Sequence, residues 1–139
     1  MTDYFVHQVE TYQELFQDNA APILAAIDVN PAVTRAQLAA GLGLSAVLVG
    51  TVLAVLREQN LIHFGHAKDG TEHIWTVEDW AAGIKNNVSA ARDWVDTHDG
   101  LTTEQMATDL GVHFALGVRL AQVMEREGKV KLTVTTVAL

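Results

Sequence analysis

The chain repeats itself, and the repeat limits what it can fold into. At a shift of 68 residues, without a gap, Glu10–Phe64 lies over Glu78–Leu132 with ten identical positions. Composition alone would give about three, so a structural repeat is expected. The identities include the local punctuation of a helical unit: Asn19/Asn87, Thr34/Thr102, Gln37/Gln105, Leu42/Leu110 and Gly43/Gly111. Two copies are too few for a solenoid, which leaves two similar small units in tandem.

Each copy reads alike. A first helix opens after Asn19 or Asn87, with Pro22 in the first turn, where a missing N–H does no harm. It stops near Asn30–Pro31 in one copy and His98–Gly100 in the other. Thr34 and Thr102 cap a short second helix, and Thr102 with Gln105 has capping-box spacing. Gly43 and Gly111 end that helix. A third helix runs over Ser45–Gln59 and His113–Glu127. In copy one a hairpin follows, turning at Asp69-Gly70 and placing His66 opposite His73, Phe64 opposite Trp75 and Ile62 opposite Val77. In copy two KVKLTVTTVAL is strand-like and any wing is short. The expected class is mainly α with small β-hairpin wings. The expected bounds are an N-terminal helix over 1–18, a first unit over 19–77, a linker helix over 78–86 and a second unit over 87–139.

The run QLAAGLGLSAVLVGTVLAVLREQNLI, repeated as QMATDLGVHFALGVRLAQVMEREGKV, resembles the winged-helix superfamily over about four-fifths of the chain. The resemblance implies that the third helix is a recognition helix. Tandem arrangements of this kind resemble both dimer-like transcription regulators and the protein-binding winged helices of chromosome-partitioning and membrane-sorting complexes. Helical spacing turns Val49, Leu53 and Leu56, and likewise Gly117, Ala121 and Met124, toward the core. The resemblance then puts Ala46, Val47, Gly50, Thr51 and Ala54 of copy one, and Phe114, Ala115, Val118, Arg119 and Gln122 of copy two, where DNA-binding relatives enter a major groove.

Base edges are donor and acceptor patterns, read by forked or amide side chains. Copy one offers a single hydroxyl, Thr51, and its wing a single permanent cation, Lys68, beside Asp69 and Glu72. The favoured reading is therefore a non-enzymatic regulatory or adaptor protein that uses its winged helices for protein contact through Val47, Gly50, Thr51, Phe114 and Val118. The alternative is a DNA-binding transcription regulator working through Arg119, Gln122, Arg126, Lys129 and Lys131. A third reading, an acidic mimic or inhibitor of nucleic acid, draws on residues 1–34, which hold five acidic residues and no Lys or Arg. The net charge of −8 opposes avid non-specific binding to phosphates.

Other chemistry has little to work with. There is no cysteine, so disulfides and thiolate metal sites are out. His66 and His73 across the hairpin supply two imidazoles where zinc wants three or four ligands and Asp69 or Glu72 would have to join; plain wing surface is the first reading, a pH-sensitive pair the second, and no cofactor or metal is assigned. The two serines, Ser45 and Ser89, look like helix-start residues, and no set of nucleophile, base and orienting group is present. No apolar run is long enough to span a membrane, and the first residues lack a signal-like pattern, so a cytoplasmic location is expected. Phe5, Val9, Tyr12 and Phe16 form an apolar stripe at helical spacing, either packing on copy one or serving a homodimer. Trp75, Trp80 and Trp94 are read as core or inter-domain residues.

Overall fold

The computed structural model describes the backbone of residues 2–133 and the side chains of residues 16–133. Among the described residues the order is α1 (Thr2–Val29), α2 (Arg35–Leu42), α3 (Ala46–Glu58), β1 (Ile62–His66), β2 (Glu72–Thr76), α4 (Val77–Thr97), α5 (Thr103–Leu110) and α6 (Phe114–Arg126). The chain forms two compact units, Met1–Gly65 with Thr71–Asp79, and His66–Gly70 with Trp80–Leu139. The fold is mainly helical with one small antiparallel hairpin, and unit 1 has the helix, helix, helix, hairpin order of a winged helix.

In unit 1, α2 begins where the Gln37 amide donates to the Thr34 hydroxyl (3.2 Å) and the Thr34 amide donates to the Gln37 side chain (2.9 Å). These bonds occupy two donors that a helix start leaves without partners. At Gly43 the backbone turns left-handed (φ 66°) and α2 stops. Ser45 caps α3 by accepting from the Leu48 amide at 3.1 Å. Helix α3 then buries Val49, Val52, Leu53 and Leu56 against Ile23 and Ile27 of α1, Leu38 of α2 and Ile74 of β2. Each fully buried aliphatic side chain contributes roughly 1.5–3 kcal/mol. The hairpin turn, whose tip His66–Gly70 is counted with the second unit, closes with the Gly70 amide donating to the Ala67 carbonyl at 2.9 Å. Strand β2 is also bridged to the α1–α2 connection. The Ala32 amide donates to the Ile74 carbonyl (3.0 Å), and the Ile74 amide donates to the Val33 carbonyl (2.8 Å). Ala32 holds φ 68° there, and its carbonyl also accepts from Nδ1 of His73 at 2.7 Å.

In unit 2, α5 and α6 have the bounds of α2 and α3 moved by 68 residues. The Thr102–Gln105 pair makes the same capping box, and Gly111 turns left-handed at φ 68°. His113 replaces Ser45 as cap, its Nδ1 accepting from the Ala115 amide at 3.0 Å. The core holds Ala91, Met106, Leu116, Leu120, Ala121 and Met124, with Trp80 and Trp94 packed against it. The positions assigned to the core by helical spacing are buried in both helices, and Val52 and Leu120 join them. Trp75 is buried in unit 1.

Two expectations are corrected. No helix opens at Asn19 or Asn87, and the segments 1–18 and 78–86 are not separate helices. Each is the first part of a continuous helix, α1 or α4. In α1 the apolar stripe continues through Phe16, Ala20, Ile23, Leu24 and Ile27, so packing carries the helix past Pro22. Pro22 and Asp18 are both exposed, so water can hydrate the carbonyl that the proline leaves without a donor. The Asn87 amide group donates back to the Gly83 carbonyl at 2.6 Å instead of capping. Residues 129–133 carry no strand, and the remainder of the strand-like segment lies outside the described residues.

Two helix glycines should respond oppositely to alanine. A Cβ on Gly117 would lie 2.6 Å from the Ala107 Cβ, which is fixed to the facing helix, whereas one on Gly50 meets only the mobile Arg35 guanidinium at 3.1 Å. Gly117→Ala should destabilise the protein by about 1–3 kcal/mol. Gly50→Ala should stabilise it by about 0.5–1 kcal/mol through backbone entropy. Denaturant midpoints with constant slope would check both.

Candidate functional site: the outward faces of α3 and α6

On α3 the residues opposite the core are small and apolar. Ala46, Thr51 and Ala54 are exposed, and Val47 is 81% exposed. The Thr51 hydroxyl donates to the Val47 carbonyl at 3.0 Å, so it is engaged by its own helix. A cation that the sequence reading passed over reaches this face. Arg35 extends from the start of α2 across Gly50, where no side chain blocks it, and approaches Glu72 at 3.8 Å. The signal was available in principle, since a glycine in mid-helix opens room for a long neighbour. Arg57, in the last turn of α3, lies 5.0 Å from the ring centre of Phe64.

Helix α6 is differently equipped. Arg119 and Gln122 lie three residues apart on one side of the helix, and Nη1 of Arg119 donates to Oε1 of Gln122 at 3.4 Å. Arg126 is exposed in the last turn. Phe114 and Val118 are half-buried, and Ala115 is 8% exposed, so the apolar part of this face is mostly covered. Of the cations grouped near the end of α6, Lys129 is tied to Asp96 at 3.5 Å, while Lys131 is exposed. Arg92 of α4 holds Glu127, at the C-terminal cap of α6, through both carboxylate oxygens, the shortest contact being 2.6 Å. The structure thus brings Arg119 and Gln122 together and leaves Lys129 committed elsewhere.

The charge divides with the fold. Unit 1 holds nine Asp or Glu against two Lys or Arg, a net of −7, and unit 2 holds eight against seven, a net of −1. The acidity of the chain therefore belongs mainly to unit 1.

His73 engages Ala32, and among the described residues no group of three His, Asp or Glu side chains is placed to hold a metal ion. Phe16 packs against the core of unit 1. The side chains of Phe5, Val9 and Tyr12, the rest of the proposed homodimer stripe, lie outside the described residues. No single described helix is long and apolar enough to cross a membrane, and α2 with α3 passes that test only as a pair bent by 118°.

No family model matches the chain, and no curated relative does. A solved structure of Lactococcus lactis ZitR, a C30AH42A mutant in apo form, is similar at 18% identity with a TM-score of 0.41. The similarity covers 91% of this chain and 94% of that one. At that score the likeness fixes neither family nor function.

The Arg92–Glu127 pair yields a pH prediction. The hydrogen bonds from Arg92 hold the Glu127 carboxyl below its ordinary value, and the nearby positive charges add to the effect. A carboxyl depressed on folding stabilises the fold above its unfolded value and loses that contribution as pH falls through the folded one. As pH falls below the ordinary carboxylate range, the native chain should lose thermal stability more steeply than Glu127→Gln. The pair is solvent-exposed, so added salt should shrink the difference. Parallel melting curves across that acid range would show it.

Proposed function

We propose that the chain is a non-enzymatic regulator built from two tandem winged-helix units, the second of which contacts duplex DNA through α6. The observation that carries this reading is the Arg119–Gln122 contact on the outward side of α6. A guanidinium and a primary amide on the second helix of a helix-turn-helix are the groups that read guanine and adenine edges. Arg126 and Lys131 are exposed and available for phosphate contact. Unit 2 is nearly neutral, so a local cationic edge there is not cancelled by a surrounding negative field as it would be in unit 1.

A second reading rests on a separate observation, the 81% exposure of Val47 among small neighbours on α3. That face lacks readers of base edges and suits a protein contact, in which Gly50 and Thr51 allow close approach. The two readings are compatible, since they use different units. The acidic-mimic reading finds its support only in the charge of unit 1.

Labelled duplex titrated at low and moderate salt tests the proposal. Two phosphate contacts should cost roughly 12-fold in affinity between about 50 and 200 mM salt. Arg119→Ala with Gln122→Ala should flatten any sequence preference, costing about 1–3 kcal/mol at the preferred site. Arg126→Ala with Lys131→Ala should weaken binding to all sequences and reduce the salt slope by about two. Absence of salt-dependent binding would overturn the DNA reading and leave protein contact through α3, for which Val47→Asp should abolish partner capture without loss of helix.

A further inference from the structure

Arg119 and Gln122 cannot act as two independent readers. Nη1 of Arg119 donates to Oε1 of Gln122 at 3.4 Å. A guanidinium has five N–H groups and no acceptor, so a primary amide in contact with it turns its oxygen inward and its NH2 away. The half-buried Arg119 and the exposed Gln122 then present donors alone, the remaining guanidinium N–H groups beside the two N–H groups of the amide. Glutamine reads adenine with both halves of its amide, the oxygen accepting from N6 and the NH2 donating to N7. With its oxygen turned to Arg119, Gln122 gives up the half that distinguishes adenine. Guanine offers the major groove two acceptors, N7 and O6, and no donor.

The spacing of the pair sets how many bases it spans. Three residues of α-helix rise about 4.5 Å, close to the step of about 3.4 Å between bases on one strand, so the two side chains address neighbouring bases. The one carboxylate of α6, Glu125, is engaged elsewhere, accepting from the Leu132 amide at 2.7 Å. The residues matching the pair in unit 1 are Thr51 and Ala54, which supply no donor array of this kind.

We propose that the coupled Arg119–Gln122 pair selects two adjacent guanines on one strand of duplex DNA, Arg119 taking one and Gln122 the next. The inference rests on the reading of α6 as a DNA-contacting helix and adds the sequence class that the helix takes. Adenine or cytosine at the second base turns its own N–H donor, on N6 or N4, toward the amide NH2, and two donors then oppose one another.

The test titrates the native chain on short duplexes that differ only in a central GG, GA, GC or AA step, with flanks free of adjacent guanines on either strand. The GG duplex should bind at least about ten-fold more tightly than the other three. Placing 7-deazaguanine at both positions removes the N7 acceptors and should abolish that advantage. Two variants examine the coupling. Gln122→Glu still gives Arg119 a partner but turns an acceptor outward, so its preference should move from GG to GC. Arg119→Ala releases the amide oxygen, so GA should then bind more tightly than GG. Salt-dependent binding that is equal on all four duplexes, a native preference for GA, or an Arg119→Ala protein that still prefers GG would overturn the paired-guanine inference while leaving the DNA reading in place. Absence of salt-dependent binding to every duplex would overturn both.

Discussion

At Gly43 and again at Gly111 the backbone takes a φ of 66° and 68°, and the amide of the following residue returns to the Ala39 or Ala107 carbonyl at 3.0 Å. A side chain resists that conformation, and the turn it makes directs α3 and α6 away from the helices before them. Which side of each third helix is buried, and which is offered to a partner, follows from this corner. The caps on either flank, Thr34 and Ser45 in one unit and Thr102 and His113 in the other, determine where the helices on both sides of the corner begin.

This local grammar was legible in the sequence because it depends on residues three or four apart. The caps Thr34 and Thr102, the Thr102–Gln105 box and the core positions Val49, Leu53, Leu56, Gly117, Ala121 and Met124 needed only spacing and side-chain type, and the structure adds a matching box at Thr34 and Gln37. The reading failed at Asn19 and Asn87, where capping propensity pointed to a helix start and tertiary packing overrode it. Phe16, Ala20, Ile23 and Ile27 hold one continuous stripe on the core, and burial along that stripe outweighs one proline on the wet side. The reach of Arg35 over Gly50 and the hold of Arg92 on Glu127 were invisible for a simpler reason. The partners are 15 and 35 residues apart, and no periodicity links them.

The two units show how one framework can carry different surfaces. The backbone turns coincide at Ala32 and Gly100, Gly43 and Gly111, and Asn60 and Gly128. Yet α3 presents Thr51 and Ala54 where α6 presents Arg119 and Gln122, and one unit carries most of the acidity. Fold and surface chemistry are specified by separate sets of positions, so likeness in the first says little about the second.

The seam between the paired helices has a consequence for how far the copies remain exchangeable. Ala107 faces Gly117 in unit 2, and the matching positions in unit 1 are Ala39 and Val49. One corner was settled around an isopropyl group, the other around a hydrogen atom. A cassette carrying α6 into unit 1 would meet familiar caps and the same turn, then leave a void beside Ala39. The reverse transplant would force its valine onto Ala107. The two units share their turning points, but the packing behind each third helix differs, so neither helix would seat in the other's place without repacking.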